Sequence, residues 1–471
     1  MGQSTRVVVL GAGPGGYAAA FLAAGQGLPT VLVDSDSQPG GVCLHRGCIP
    51  SKALLHVARL LLDAREAAVM GVAFAAPVVD LERLRGWKEG VVERLTRGLG
   101  EQCQRRGVTY VQGRGCLLDD HTLLVQRVDG TEERIGFQEC ILATGSRPAG
   151  LPGLDLTLPG ILDSTRALAL ETIPRTLLVV GGGNIGLELG LVYAALGSAV
   201  SLVEMTDGLL PGADRDLVRP VAQRLGRLFA SIQTGSRVVA VQAEAGGLRV
   251  VLQNGETTTG QWVEALLVAT GRQPNSPSLG LERVGITVDR GFVPVDAQMR
   301  TVVPHILAIG DLVGGPLLAH KAAHDARVAV AGLLGRPAVG HRVIPAVTYT
   351  DPELACAGLT ETSARQQGIP VRTVRFPWAA SGRAHTLGRT EGLTKWLVDP
   401  QTERVLGVGI VGTQAGEMLA QGVQAIEQGL TVSEVARTVH PHPTLSETLM
   451  EAAEVFAGEC VHYHAPRRDR P

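Results

Sequence analysis

The feature that most constrains this chain is a glycine-rich turn that occurs twice in the same setting. Residues 11–16 read GAGPGG and residues 181–186 read GGGNIG, and each run follows a short apolar stretch and opens a helix-like stretch rich in Ala or Leu. In both copies an acidic residue, Asp34 or Glu204, ends the next apolar stretch 23 positions after the first glycine. Two complete units at one offset predict two dinucleotide-binding βαβ units in an α/β fold.

Three glycines in each run have distinct expected tasks. They supply a tight turn, a close approach of backbone to a pyrophosphate, and close packing of the helix whose N-terminus faces the phosphates. The positions are Gly11, Gly13 and Gly16 in the first run and Gly181, Gly183 and Gly186 in the second. Asp34 and Glu204 are placed to accept ribose hydroxyls. A carboxylate at 204 would repel a 2′-phosphate and residues 205–207 contain no arginine, which favours NAD over NADP.

A second internal repeat supports the two-site interpretation. Residues 142–145 (LATG) and 268–271 (VATG) each end an apolar strand with a small, close-approach turn, which includes Thr144, Gly145 and Gly271. Gly310 and Asp311 follow the apolar run 306–309 and form another strand end with an acid. Asp311 could hold sugar or other hydroxyl groups of a bound dinucleotide, and the alternative is an ordinary turn.

Two cysteines follow the first glycine run by about thirty residues. Cys43 and Cys48 would be about 7.5 Å apart along an ideal helix, beyond the roughly 4.4 to 6.8 Å between Cα atoms that a disulfide tolerates. A bridge therefore requires an irregular turn, which Gly47 permits and Pro50 favours before a helix through residues 51–55. The alternative is a pair of inert, buried cysteines.

Thiols and nicotinamide need a carrier between them, because nicotinamide exchanges only hydride. We therefore expect FAD at the N-terminal unit beside the cysteines and NAD at the central unit. The thiol that meets substrate also needs a base, since the thiolate is the reactive form. His442 and Glu447 offer an imidazole and its orienting carboxylate. Alternatively, Thr444 and Glu447 cap a helix, and one acid could serve both tasks.

Composition bounds the class of protein. A chain of 471 residues with 60 glycines, 3% aromatic and 45% hydrophobic residues indicates a multidomain α/β protein. The formal charge of -2 does not indicate binding to nucleic acid or to an anionic membrane. No uncharged run is long enough to span a bilayer. Seven cysteines without a leader-like start predict a reducing, cytoplasmic setting in which any disulfide is catalytic, and no metal site is predicted.

These motifs together resemble the dihydrolipoamide dehydrogenase family of pyridine nucleotide-disulfide oxidoreductases over nearly the whole chain. The matching stretches are residues 40–56, 182–190, 309–311, 319–321, 376–384, 442–445 with Glu447, and 452–456. The resemblance implies two Rossmann-like domains, for FAD at 1–147 and for NAD at 148–275, with a central domain at 276–346. It also implies an α+β interface domain at 347–471 that forms a homodimer.

The resemblance also implies roles for single residues. Cys43 would be the interchange thiol that meets substrate, and Cys48 the thiol in charge-transfer contact with the flavin. Lys52 and Glu188 would form an ion pair beside the flavin, and Ile185 would shield its ring. His442 and Glu447 would serve the cysteines of the opposite subunit. Further cofactor contacts are implied at Gly41, Gly115, Ser146, Val238, Asp311 and Ala319.

The reaction implied is oxidation of a protein-bound dihydrolipoyl group through the Cys43–Cys48 disulfide and FAD to NAD. The implied partners are the lipoyl-bearing acyltransferases of 2-oxoacid dehydrogenase complexes, with the lipoyl protein of glycine cleavage as a further candidate. His45 and Arg46 depart from the family's usual Asn-Val, and Arg46 could favour a thiolate or remain a solvated loop residue. Two other functions stay open: an NADH-dependent reductase of a small disulfide or metal ion, and a low-turnover scaffold subunit.

Overall fold

The N-terminal part of the chain builds a mixed sheet. The computed structural model describes residues 3–337, 340 and 343–464. Its first elements are strands β1 (Gln3–Leu10), β2 (Thr30–Asp34), β3 (Thr109–Asp119), β4 (Thr122–Arg127), β5 (Glu132–Leu142) and β6 (Ser146–Pro148), and helices α1 (Pro14–Gly25), α2 (Gly41–Arg46), α3 (Cys48–Glu66) and α4 (Leu81–Arg105), with a 3₁₀ turn at Ala67–Met70. Strand β1 pairs in parallel with β2 and β5, β3 pairs in parallel with β2, and β4 joins β3 and β5 as an antiparallel strand.

The next part repeats this plan. Its elements are β7 (Ile161–Leu162), β8 (Thr176–Val180), β9 (Ala199–Val203), β10 (Ser231–Gln233), β11 (Ser236–Glu244), β12 (Gly247–Asn254), β13 (Thr257–Val263), β14 (Ala265–Val268) and β15 (Arg272–Pro274), with helices α5 (Ser164–Ala169), α6 (Asn184–Leu196) and α7 (Arg215–Leu228). The parallel sheet has the order β10-β9-β8-β14-β7, and β11-β12-β13 form a separate antiparallel sheet. Both predicted βαβ units are thus present, and the α/β fold class is confirmed.

The following segment returns to the first sheet. It contains β16 (Ile306–Ala308) and α8 (Ala319–Leu333), with 3₁₀ turns at Leu281–Val284 and Gly310–Val313. Strand β16 pairs in parallel with β5, and α8 packs against α1 across a small-residue core. The end of β16 therefore lies beside the first glycine turn.

The C-terminal part is a five-stranded antiparallel sheet of order β17-β18-β21-β20-β19 covered by helices. Its elements are β17 (Ala346–Thr348), β18 (Glu353–Gly358), β19 (Arg372–Pro377), β20 (Leu393–Val398) and β21 (Val405–Gly412), with α9 (Glu361–Gln367), α10 (Gly382–Thr386), α11 (Ala415–Gln428), α12 (Val432–Ala436) and α13 (Glu447–Ala457) and a 3₁₀ turn at Trp378–Ala380. Its core centres on Phe376, Trp378 and Trp396. Within the described residues, no helix combines the length and hydropathy needed to cross a bilayer.

The largest core joins two of these parts and positions the site. Leu54, Leu55 and Ala58 on α3 share an apolar cluster with Leu187 and Leu191 on α6. Helix α3 begins at a predicted catalytic cysteine, and α6 begins at the second glycine turn. Their packing therefore brings the cysteine helix close to the second βαβ unit. The three domain boundaries, at 147, 275 and 346, stay a prediction.

A candidate dithiol and dinucleotide site

The first glycine of each run is required by the backbone. Gly11 has a φ of +101°, and a Cβ there would lie 2.3 Å from the Ala143 carbonyl oxygen. Gly181 has a φ of +112°, and its Cβ would lie 2.4 Å from the Ala269 oxygen. Each turn therefore crosses the small residue of the LATG or VATG run at a distance that only glycine allows. In each unit, the glycine-rich turn and the LATG or VATG turn are thus the two partners of one close backbone contact.

The glycine at the third position of each run has an ordinary backbone conformation and open space around it. Gly13 and Gly183 are extended, with φ of -69° and -83°, and immediately precede α1 and α6. A Cβ at either position would meet no protein atom within 4 Å. Beside Gly13, a Cβ on Gly41 would lie 2.5 Å from the Gly13 Cα, so the start of α2 crosses this turn closely. An open space lined by backbone at a helix N-terminus fits a pyrophosphate.

The acids at the ends of β2 and β9 bind the glycine turns themselves. Asp34 accepts a hydrogen bond from the Ala12 N–H at 2.5 Å, and burial raises its pKa. Glu204 accepts from the Gly182 N–H at 2.7 Å and from the Thr206 N–H at 2.8 Å. Although burial acts to raise it, these hydrogen bonds hold the pKa of Glu204 below its usual range. Contact of either acid with ribose stays a prediction.

The strand-end acid Asp311 belongs to a hydrogen-bonded group at the first sheet. The Ser146 hydroxyl donates to Asp311 at 2.5 Å, and Arg272 donates to the Ser146 hydroxyl at 2.7 Å. The buried Lys321 ammonium donates to the Gly310 carbonyl at 3.1 Å, which fixes the loop that carries Asp311. The strand ends of the first sheet thus converge beside Gly11.

The other predicted cofactor residues take separate positions. Thr144 is bonded to Asn275 through its hydroxyl and carbonyl, which ties the turn that contains Gly145 to the following segment. Gly271 has a φ of +130° and leads into β15. The remaining positions are Gly115 on β3 against Leu10, Ile185 in the first turn of α6, Val238 on β11 and Ala319 at the start of α8. Their contact with cofactors stays a prediction.

The two cysteines lie on either side of the expected helix break. Helix α2 ends at Arg46, Gly47 takes φ of -146° and ψ of -112°, and α3 begins at Cys48. A Cβ on Gly47 would lie 2.8 Å from the Val42 carbonyl oxygen, so glycine is required at the break. All seven cysteines of the chain are free thiols in this structure, with Cys43 half-buried and Cys48 exposed.

The two thiols are electrostatically unequal. The Cys43 thiol hydrogen-bonds to Cys48, which raises the pKa of Cys43, and burial raises it further. The same hydrogen bond and the nearby Lys52 ammonium lower the pKa of Cys48 to about 7, against the opposing effect of desolvation. These electrostatic effects favour a thiolate at Cys48 over one at Cys43.

An ion pair links the cysteine helix to the second unit. Lys52 donates to Glu188 Oε2 at 2.8 Å, and the Glu188 side chain is buried. The Tyr349 N–H donates to the other oxygen, Glu188 Oε1, at 2.9 Å. The Lys52 ammonium also lies 4.4 Å from the centroid of the Tyr349 ring. The predicted pairing of Lys52 with Glu188 is present, and Tyr349 joins it.

The predicted base lies on another part of the molecule. His442 Nδ1 bonds to Glu447 Oε1 at 2.9 Å, while Glu447 Oε2 accepts from the Thr444 N–H at 2.6 Å. Glu447 therefore binds both His442 and the Thr444 backbone, but the helix begins at Glu447 itself with Ser446 at its N-cap, so the alternative of a helix cap made by Thr444 and Glu447 is wrong. The His442 side chain is 72% exposed, and this leaves its Nε2 open to solvent. In the part of the chain that the structure describes, the bonds of this pair stay within residues 442–447.

Arg46 has a carboxylate partner. Its guanidinium donates to both oxygens of Asp36, at 3.0 and 2.7 Å. The Asp36 charge therefore offsets that of Arg46. An effect of Arg46 on the dithiol stays a hypothesis.

Sequence reasoning missed two residues of this site. Tyr349 and Arg272 are distant in the chain from Lys52 and Ser146, which they contact, and no local pattern connects them. A signal existed for Arg272 alone, because it directly follows the second repeat at 268–271. The contact of Tyr349 depends on how the C-terminal sheet docks.

Family models match most of this chain. The model "Pyridine nucleotide-disulphide oxidoreductase" matches residues 5–326, and that family's dimerisation-domain model matches residues 344–453. The chain belongs to the pyridine nucleotide-disulphide oxidoreductase family. The predictions of a flavoprotein enzyme that uses FAD and NAD, and of a dimerisation domain, are thereby confirmed.

Curated relatives of this oxidoreductase share a name. Dihydrolipoyl dehydrogenase of Haemophilus influenzae is 46% identical over 96% of this chain and 95% of its own length. Dihydrolipoyl dehydrogenase of Thermus scotoductus is 43% identical over 97% of this chain and 98% of its own. Similarity of this extent supports the dehydrogenase interpretation over the two alternatives.

Solved structures agree on the fold. LpdA from Mycobacterium tuberculosis superposes with a TM-score of 0.88 at 29% identity, over 96% of this chain and 99% of that one. The HOCl-induced flavoprotein disulfide reductase RclA from Escherichia coli has a TM-score of 0.85 at 29% identity, over 96% and 99% of the two chains. The oxidoreductase thus shares its architecture with flavoprotein disulfide enzymes.

Proposed function

We propose that this oxidoreductase is a dihydrolipoyl dehydrogenase that oxidises a protein-bound dihydrolipoyl group and passes the electrons to NAD. One arrangement carries the proposal: Cys43 and Cys48 lie on either side of the helix break at Gly47, and Lys52 on the Cys48 helix pairs with the buried Glu188 at 2.8 Å. Interaction with Cys43 and the nearby Lys52 ammonium lower the pKa of Cys48 to about 7. A dithiol with one acidic member can both exchange with a substrate dithiol and donate electrons to a flavin. The name shared by its relatives supports this substrate.

The two cysteines divide the work. In the oxidised enzyme a thiolate of the substrate attacks the Cys43 sulfur and breaks the Cys43–Cys48 bond. The second substrate thiol then displaces Cys43, so the lipoyl disulfide forms and the enzyme dithiol remains. Two electrons and two protons enter the enzyme in this exchange, and the low pKa of Cys48 favours its leaving as a thiolate.

His442 is the proposed base for this exchange, and it acts on the cysteines of the partner subunit. Glu447 holds Nδ1, so the exposed Nε2 can take the proton of a substrate thiol and return it to Cys43. Because its bonds stay within residues 442–447, the pair is available to another chain. The match to the dimerisation domain supports a homodimer.

The residues around the two glycine turns fit the cofactors. We assign FAD to the turn that contains Gly13, with Asp34, Ser146 and Asp311 around it, and NAD to the turn that contains Gly183. When bound, FAD supplies the carrier that accepts electrons from a thiolate and gives hydride to NAD. Lys52 pairs with Glu188 and lowers the pKa of Cys48, and we assign Ile185, in the first turn of α6, to shield the flavin ring.

We further propose the division into an FAD domain at 1–147, an NAD domain at 148–275, a central domain at 276–346 and an interface domain at 347–471. The partners we infer are lipoyl-bearing acyltransferases of 2-oxoacid dehydrogenase complexes and the lipoyl protein of glycine cleavage. A cytoplasmic location fits free thiols throughout the chain.

A steady-state assay tests the proposal. The purified holoenzyme is expected to reduce NAD with dihydrolipoamide, and Cys43→Ser and Cys48→Ser are each expected to abolish turnover while FAD stays bound. The reverse assays with NADH and either glutathione disulfide or Cu²⁺ as acceptor measure the alternative reductase function. Vigorous reduction of those acceptors without lipoamide turnover would reject the proposal, and so would a yellow but inactive enzyme.

A further inference from the structure

Tyr349 contacts both members of the ion pair beside the cysteines. It directly follows β17 in the C-terminal part of the chain, yet its ring covers the Lys52 ammonium at 4.4 Å and its N–H binds Glu188 Oε1 at 2.9 Å. Since Lys52 holds Glu188 Oε2, both oxygens of that buried carboxylate are occupied. The orientation of the carboxylate is therefore fixed from two sides.

The aromatic face fixes the ammonium in turn. The Lys52 side chain is 35% exposed and has Glu188 as its salt-bridge partner. A cation over an aromatic ring is attracted to the negative face of the π system, and more strongly where water is partly excluded. The carboxylate on one side and the ring on the other hold the Lys52 charge in one place. Without the ring, a flexible lysine stem could move its charge toward solvent.

Tyr349 is itself anchored on both sides along the chain. Thr348 donates its hydroxyl to Asn184 Oδ1 at 3.0 Å, at the first residue of α6. Asp351 is buried and bound by three guanidinium groups, which come from α3, α7 and the segment after α10: Arg59, Arg224 and Arg389. The ring also lies against Gly416, where an added Cβ would be 3.6 Å from Tyr349 Cε1. The ring is thus a rigid contact for a flexible lysine.

Several charged or titratable groups on the surrounding elements interact electrostatically with Cys48. They are Cys43, Lys52, Glu188, Arg272, Tyr17 and Tyr349. Burial and the nearby carboxylates Glu353 and Glu188 raise the pKa of the Tyr349 hydroxyl, so the ring stays neutral. Lys52 is the cation on the cysteine's own helix, and its position affects the stability of the thiolate.

We propose that Tyr349 is a positioning residue that holds the Lys52–Glu188 pair in place, four residues after Cys48 on α3, and thereby favours the thiolate form of Cys48. The inference rests on the proposed function, because it assigns Cys48 as the thiolate beside the flavin. It extends that function to the C-terminal part of the chain, since a residue that directly follows β17 fixes the position of a charge on the cysteine helix.

The test replaces the ring and follows the thiolate directly. Holoenzyme is reduced anaerobically with NADH, and the long-wavelength absorbance of the thiolate–flavin contact is titrated with pH. In Tyr349→Leu we expect the titration midpoint to rise by about half a pH unit or more, because the thiolate loses part of its cation. Tyr349→Phe keeps the π face and should restore the midpoint. Trp262→Leu, at an aromatic residue on β13, is the matched control and should not change it.

A graded series covers the case in which Tyr349→Leu loses its FAD. Phenylalanine with one, two or three ring fluorines at position 349 is nearly isosteric but carries a progressively weaker negative face. The midpoint should rise stepwise with fluorine number at constant FAD content and melting temperature. A flat series, or a Leu variant with the wild-type midpoint, would overturn the proposal. Reduction by NADH needs no lipoyl substrate, so a failure of lipoamide turnover would reject the proposed function while leaving this readout intact.

Discussion

Gly183 is a position where the needs of the fold and of a ligand can be separated. Its backbone has φ of -83° and ψ of -178°, which alanine adopts readily, and an added Cβ meets no protein atom within 4 Å. We therefore expect Gly183→Ala to change the free energy of unfolding by less than about 1 kcal/mol, since a weaker helix cap is offset by a less flexible unfolded chain. If the space is filled by a pyrophosphate, the methyl group must obstruct it.

The magnitude follows from the hydrogen bonds at stake. Loss of one backbone N–H bond to a charged phosphate costs about 1.5–3 kcal/mol, or roughly a ten- to hundredfold rise in KM for NAD. FAD content and melting temperature should stay at wild-type values. The assay is the steady-state KM for NAD, with NADH-driven flavin reduction as a second measure that is independent of the lipoyl substrate.

Two neighbouring substitutions act as controls. Gly13→Ala has the same open geometry in the first unit, so it should lower FAD occupancy instead. Gly181→Ala should destabilise the protein itself, because φ is +112° and the Cβ would lie 2.4 Å from a carbonyl oxygen. An unchanged KM for NAD in a stable Gly183→Ala enzyme would refute the assignment of this space. A large fall in melting temperature would show that the fold itself requires the glycine.

Three further predictions concern charge. The thiolate–flavin absorbance of the reduced enzyme should appear as pH rises through about 7, the value to which the pKa of Cys48 is lowered, and a pH-independent band would contradict this. Asp351→Asn should lower unfolding stability by about 3–5 kcal/mol at pH 7, because three arginines lose their buried partner. Burial acts to raise the pKa of Asp351, but the three arginines outweigh it and lower that pKa. The contribution of Asp351 is therefore fully present above the unfolded pKa of about 3.9, and the difference in melting temperature between the two proteins should shrink as pH falls below that value. Arg46→Val should shift the dithiol potential if its charge reaches the cysteines, whereas an unchanged potential would show that Asp36 neutralises it.

The parts of this site that the sequence could predict are local ones. The glycine turns, their acids and the break at Gly47 each depend on a few adjacent residues and on fixed backbone geometry, and the structure contains all of them. The pairing of Lys52 with Glu188 came only from the family resemblance, because 136 positions separate the two residues.

The contacts that could not be predicted join distant segments. Tyr349 reaches Lys52 only after the C-terminal sheet docks, and the three arginines around Asp351 come from different parts of the chain. No periodicity or motif encodes such contacts, since packing of whole elements decides them. The return of β16 to the first sheet is a similar case, although the acid after it was predicted from its strand-end position.

The most direct test of the account is an anaerobic titration of the oxidised holoenzyme with dihydrolipoamide. We predict that long-wavelength thiolate–flavin absorbance grows to its full value at one equivalent of dithiol. It should vanish in Cys48→Ser, the thiol assigned to the flavin, and appear in reduced Cys43→Ser, which keeps that thiol. A flavin spectrum that dihydrolipoamide leaves unchanged would contradict the central claim, and so would a band that survives in Cys48→Ser.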